Sequence, residues 1–319
     1  MTIRIAAIAF LLAGLATPTL AETDHAPLIT PHELAVLIED SAPLVLDIRP
    51  AGRPGQADTY AGGHIEGALN APYALFRGPP ENPGQLPTVD ELTQVLQSLG
   101  VTTDRRTIII HQGMNDTDFG SSARVYWTLK SSGVQTLSIL NGGVNAWIDA
   151  GLPLVETPTT PAPSTIEVTF SDQWLATEAD VLAVVEGEAE ATLVDARPES
   201  FWAGRDMHPA AARPGTLPQS QYFTHSNWFG GGPAIIDADA ARALAQEAGY
   251  TDEDALISFC NTGHWASTNW FALSELAGIE NVRLYPESIV GWSNAGPGHE
   301  MANVPGPFRR VWNQISDVF

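Results

Sequence analysis

Cys260 is the only cysteine in a chain of 319 residues, and Asn261-Thr262-Gly263-His264-Trp265-Ala266 follows it as a polar loop leading into a helical stretch. Thiolate, not thiol, is the reactive form of cysteine, so the question is whether the surroundings favour negative charge on sulfur. Gly263 permits backbone angles at which successive amide N–H groups turn inward as an anion-binding nest. The helix start adds unsatisfied donors and partial positive charge. A thiolate held this way attacks a soft electrophile such as a sulfane sulfur, expels its former partner and passes the sulfur on. That is covalent, ping-pong chemistry, and the same amides would hold the terminal sulfur of the persulfide formed on the way. The bland reading of a lone thiol is a buried, inert one.

The neighbours of Cys260 each carry two readings. His264 is either a cation beside the sulfur, since histidine titrates near neutral pH, or an exposed loop residue. Trp265 is either a pocket wall or part of the core. Asn261 and Thr262 shape the turn while their backbone amides bind. Asp195 and Arg197 form a structural ion pair or contact substrate, and Arg77 is the basic residue placed to reach a cleft between domains. His25, His32, His208, His225 and His299 lack metal-ligand spacing, so the expected chemistry calls for no metal and no other cofactor. A cysteine phosphatase would need Cys-x5-Arg; Ala266 stands at that position, and no arginine follows until Arg283.

An internal repeat sets the elements that must position this loop. Leu44-Val45-Leu46-Asp47-Ile48-Arg49-Pro50 is an apolar strand ending in Asp-x-Arg-Pro, and Leu193-Val194-Asp195-Ala196-Arg197-Pro198 repeats it 148 positions later. Thr107 to Gln112 matches Ala255 to Cys260 at the same offset, which makes Gln112 the silent copy of Cys260. Helical stretches follow at Ala123 to Lys130 and Thr268 to Ala277, where Trp270 and Phe271 read as core. Trp147 and Trp292 lie 145 positions apart, predicting a loop three residues longer after Gln112 than after Cys260. Short apolar strands alternating with helices indicate α/β domains with mainly parallel sheets, whose ligands gather at the carboxyl ends of strands. Leu154 to Thr165, with Pro158, Pro161 and Pro163, reads as an extended linker. Domain one is therefore expected over residues 22–155 and domain two over 166–319, with Arg77 to Pro87 a surface loop.

Met1 to Arg4 is a short basic start, Ile5 to Leu15 an uncharged apolar run, and Thr19-Leu20-Ala21 offers small residues for cleavage before Glu22. This is the pattern of a signal peptide over residues 1–21, too short to span about 30 Å of hydrocarbon. The expected mature protein is periplasmic or secreted, with no membrane anchor. A formal net charge of −22, with Lys130 the only lysine, argues against nucleic acid and anionic membrane surfaces as partners.

Over essentially the whole mature chain these features resemble the tandem-domain rhodaneses, the thiosulfate and 3-mercaptopyruvate sulfurtransferases. The residues that carry the resemblance are the two Asp-x-Arg-Pro strands, Gly63-His64-Ile65-Glu66-Gly67-Ala68, the weaker Gly215-Thr216-Leu217-Pro218, Gly142-Gly143 through Trp147, and Cys260-x-x-Gly263-x-x-Ala266. The resemblance implies two rhodanese-like domains. It makes Cys260 the persulfide carrier, a small sulfur donor and a thiophilic acceptor the substrates, and the N-terminal domain non-catalytic. The loop side chains match neither the basic pattern of thiosulfate users nor the small one of mercaptopyruvate users. Phe201 also replaces an arginine often found after Asp-x-Arg. A second function stays open: a persulfide carrier that hands sulfur to a dedicated protein partner.

Overall fold

A computed structural model describes residues 26–50 and 59–306; the expected signal peptide lies outside the described residues. The first half runs β1 (Leu28–Ile29), α1 (Pro31–Ser41), β2 (Leu44–Asp47), β3 (Leu69–Asn70), α2 (Val89–Ser98), β4 (Thr107–Ile110), α3 (Asp116–Ser131), β5 (Leu137–Leu140) and α4 (Gly143–Asp149). The second runs α5 (Glu178–Val185), β6 (Thr192–Asp195), α6 (Glu199–Trp202), β7 (Gln221–Tyr222), α7 (Ala238–Glu247), β8 (Leu256–Phe259), α8 (Trp265–Phe271), a π-helical turn (Ala272–Leu276), β9 (Val282–Leu284) and α9 (Ser288–Asn294).

Each half builds its own parallel sheet, in the order β1-β5-β4-β2-β3 and β7-β6-β8-β9. The central strands are mostly Leu, Val and Ile and are buried along their length because helices cover both faces, so no polar residue has to alternate outward. Helix starts are fixed locally. Thr30 with Glu33, Thr88 with Glu91 and Thr177 with Asp180 form reciprocal capping boxes, and Asn115 caps α3 by accepting from the Asp118 amide.

The halves are joined by a core rather than by their linker. α3 of domain one is buried nearly all round and packs against α8, so Phe119, Tyr126, Trp127, Trp270, Phe271 and Leu273 belong to one continuous apolar cluster. Tyr126 meets Phe271 edge-on at 5.0 Å between ring centroids. After the proline-rich stretch the chain still follows domain one. Gln97 Nε2 donates to Ile166 O, Ser171 N to Ser131 O and Trp127 Nε1 to Trp174 O, before Ala176 N joins Leu284 O of the second sheet. Residues 77–87 are ordered between the domains. Asn82 Nδ2 donates to Glu287 Oε2 at 2.6 Å, and a Cβ on Gly84 would stand 2.3 Å from Pro286 O. No helix among the described residues is long and apolar enough to cross a membrane.

Candidate active site

Cys260 follows β8 directly and is 1% exposed, at the carboxyl end of the central strand of its sheet. Its position relative to domain one corrects the sequence register. Leu44 pairs with Thr107, and Thr192 with Leu256. Val144 N donates to His111 O where Ile289 N donates to Cys260 O. The counterpart of Cys260 is therefore His111, and Gln112 is the counterpart of Asn261. The loops before α3 and α8 have the same length, five residues each, His111 to Asn115 and Cys260 to His264. The extra residues lie in the helix, 16 in α3 against 12 in α8 and its π turn.

The Asp-x-Arg motif braces the loop from beneath. Arg197 Nε and Nη2 donate to Asp195 Oδ1 and Oδ2 at 2.9 and 2.6 Å, Nη2 also to Gly215 O, and Nη1 to Asn261 Oδ1 at 3.2 Å. Arg49 repeats this with Asp47, Gly63 O and Gln112 Oε1. Arg197 is buried within this set, so the expectation of a substrate contact gives way to the structural ion pair. A buried pair of this kind costs about 3–5 kcal/mol to break from one side, which makes it a fixed post for the start of the loop.

Ser288, at the start of α9, closes the loop from above. Its Oγ accepts the amides of Cys260 at 3.0 Å and Gly263 at 3.2 Å and donates to Tyr285 O. It does so from a left-handed backbone, φ +52°, where domain one has Gly143 at φ +62°. Holding a serine in that region costs on the order of 1–3 kcal/mol and is tolerated where surrounding contacts over-determine it. Two of the loop's donors are thus used for shape. Among the described residues the amides of Asn261, Thr262 and His264 have no hydrogen-bond partner, which leaves them for an anion. In domain one Asp118 Oδ2 takes the counterparts of the Thr262 and Gly263 amides, accepting from Gly113 N at 2.7 Å and Met114 N at 3.0 Å.

Positive charge arrives from domain one. Arg77 Nη1 donates to Thr262 O at 2.8 Å and to the Tyr73 hydroxyl at 3.0 Å, so it does reach the loop. Arg124, on α3, is fully buried, with Nη2 on Gly84 O at 2.9 Å and Nη1 at 3.4 Å from Gly263 O. Among the described residues it has no salt bridge, and its Nε has no partner. Burial, with Arg77 adding repulsion, pushes its pKa down to about 9, while the Cys260 and Glu287 charges oppose that shift. Gly263 is required here, at φ +68°, because a Cβ would stand 2.3 Å from Arg124 Nη1.

Both sequence readings of His264 fail. The side chain is half-buried and tied to domain one, with Nε2–H donating to Thr117 O at 2.7 Å and Nδ1 accepting from the Tyr73 hydroxyl at 3.0 Å. Burial, then the repulsion of Arg77, holds its pKa down at about 3, so it is a neutral strut and no cation. Trp265 is also a seam residue. Its ring stacks on buried His225 at 5.0 Å, meets Phe201 edge-on, and its Nε1 donates to Thr117 Oγ1. Sequence reasoning missed Ser288, Arg124, Tyr73 and Thr117 altogether.

His111 gives a test of this geometry. It is buried, with Nδ1 3.0 Å from Ser122 Oγ, and burial holds its pKa at about 4 against about 6.5 in the unfolded chain. The unfolded form therefore takes up the proton first. Stability is intact above pH 6.5 and falls from there towards pH 4, by about 2 kcal/mol at pH 5. Urea unfolding at pH 7 and pH 5 should show a smaller loss in His111→Gln than in the parent; equal losses would reject the assignment.

The profile of the rhodanese-like domain matches the chain twice, over residues 30–150 and 177–295. A thiosulfate sulfurtransferase of Azotobacter vinelandii is 27% identical over 268 residues, 83% of this chain and 93% of its own. The sulfur carrier protein TtuD of Thermus thermophilus is 26% identical over 217 residues, 64% of this chain and 74% of its own. SseA from Escherichia coli, solved as the rhodanese fold of 3-mercaptopyruvate sulfotransferases, superposes with a TM-score of 0.69 at 25% identity, covering 82% of this chain and 98% of that one. Both halves carry the same parallel sheet, the same Asp-x-Arg brace and a loop of the same length, and the chain belongs to the rhodanese family as a tandem of two rhodanese-like domains.

Proposed function

We propose that the protein is a sulfurtransferase that moves a sulfane sulfur from a small donor to a thiophilic acceptor through a persulfide on Cys260. The observation that carries this reading is the placement of Cys260 beside three unpartnered loop amides and an uncompensated, buried Arg124. A buried cation without a counterion is costly, and a sulfur anion at Cys260 offsets that cost. With thiosulfate as donor, the Cys260 thiolate attacks the outer sulfur and a new S–S bond forms. The donor's own S–S bond breaks, and sulfite leaves with the electron pair. An acceptor such as cyanide then attacks the terminal sulfur, thiocyanate departs and the thiolate is restored. The donor is a thiosulfate- or mercaptopyruvate-like anion, and the positive charge that would receive it comes from Arg124 and Arg77 of domain one.

Intact-mass measurement after brief incubation with thiosulfate, and separately with 3-mercaptopyruvate, tests this. The expected result is a gain of about 32 Da, one sulfur atom, that cyanide removes. No gain with either donor would overturn the reading. A carrier that delivers sulfur to a protein partner is the second reading, supported by the similarity to the sulfur carrier protein of Thermus thermophilus. It would load as readily but release sulfur to cyanide far more slowly than an enzyme. Export to the periplasm or medium rests on residues 1–21 and would leave a mature chain beginning at Glu22.

A further inference from the structure

Domain one keeps a cavity of about 710 Å³ at the carboxyl ends of its strands, within the range of small-molecule sites. Arg49, Tyr73, His111, Gln112, Met114 and Asp118 line it, and most of its wall is apolar. It therefore sits where the loop of domain two has its sulfur: His111 replaces Cys260, and Gln112 replaces Asn261. His264 of domain two forms part of the same wall, so the cavity adjoins the strut that ties the Cys260 loop to domain one.

We propose that domain one holds a second small-molecule site here, for a neutral or cationic ligand with an apolar body. Two observations set the charge preference. Two of the loop's amides, those of Gly113 and Met114, already donate to the Asp118 carboxylate. Among the described residues the guanidinium in the wall, Arg49, is neutralised by buried Asp47, and Asp118 is the wall's formal charge without an ion-pair partner. The global charge of −22 acts in the same sense. The apolar body is accommodated by Tyr73 and Met114. His111 Nε2 is buried with no hydrogen-bond partner among the described residues, so the floor of the site has one polar group unsatisfied. An imidazole in place of a thiol makes this a site for binding, with no sulfur carried. The proposal stands apart from the sulfurtransferase reading, because no residue of it needs Cys260.

The test is calorimetric titration of the full-length protein with three probes of one shape, 2-phenylethylamine, 2-phenylethanol and phenylacetate. The amine and the alcohol are expected to saturate with Kd values of about 1 mM or below, and phenylacetate to bind at least about tenfold more weakly. Asp118→Asn should weaken the amine about tenfold and leave the alcohol within about twofold. Gln112→Trp, which fills the cavity, should abolish binding of both. Cys260→Ser should bind the amine as the parent does, which separates this cavity from the cleft at the sulfur. The proposal is overturned if neither amine nor alcohol saturates, if phenylacetate binds as tightly as the amine, or if amine binding is lost in Cys260→Ser. Binding that persists in a folded Gln112→Trp, or an amine affinity unchanged by Asp118→Asn, also overturns it.

Discussion

Cys260→Ser is expected to lose sulfur transfer by at least about 10⁴-fold while keeping its fold, because a serine hydroxyl at neutral pH neither takes up nor releases a sulfane sulfur. The side chain lies in the apolar cluster shared by the two domains, 1% exposed, so exchanging S–H for O–H buries a stronger polar group. The expected cost is about 1–2 kcal/mol, a shift of a few degrees in Tm. Cyanide-coupled turnover and circular dichroism read the two effects separately. Residual transfer by a variant with a native-like unfolding curve would remove Cys260 from the mechanism, whatever its position suggests.

Arg124→Met carries the second large effect. Methionine keeps the length of the side chain and its apolar contacts with Trp127, over whose ring the guanidinium lies at 5.4 Å. What it removes is the buried charge behind Gly263. Loading from thiosulfate should fall about 100- to 1000-fold, the range seen when one preorganised electrostatic donor is deleted from an active site. Stability should change little, since the lost bonds to Gly84 and Gly263 are set against release of an expensive buried charge. The distinguishing readout is alkylation of Cys260. The rate with anionic iodoacetate should drop about tenfold relative to neutral iodoacetamide in Arg124→Met, and Arg124→Lys should recover part of it. An unchanged ratio would make Arg124 a packing residue.

The fold was legible because its markers are local. Asp-x-Arg-Pro ends a strand in each half and is used the same way twice, so reading the repeat was enough to place both sheets. The register of β4 against β8 was not legible, and the physical reason is plain. Ile108-Ile109-Ile110 and Ile257-Ser258-Phe259 are buried on both faces, so a slip of one residue breaks no inside–outside alternation. Only the ladder shows that His111, one residue before Gln112, stands where the sulfur does. Partners brought from the other domain were equally hidden. Nothing near Arg124, Tyr73 or Thr117 in sequence marks them as neighbours of a loop more than 130 residues away. The charge state of His264 depends on those same partners, which is why its type alone misled. Ser288 needed a left-handed backbone that no residue pattern announces.

The uninterrupted core between α3 and α8 also bears on how such a chain tolerates change. After duplication, a copy that no longer holds the nucleophile would ordinarily drift, free to accept substitutions that its active twin rejects. Here domain one supplies Arg77, Arg124 and Tyr73 to the Cys260 loop and shares the aromatic packing beneath it. Loss-of-function changes should therefore be as frequent along α3 as along α8. The exposed helices α1 and α7 would take up most of the harmless variation. The half without a cysteine is, in hereditary terms, under the same selection as the half that carries one.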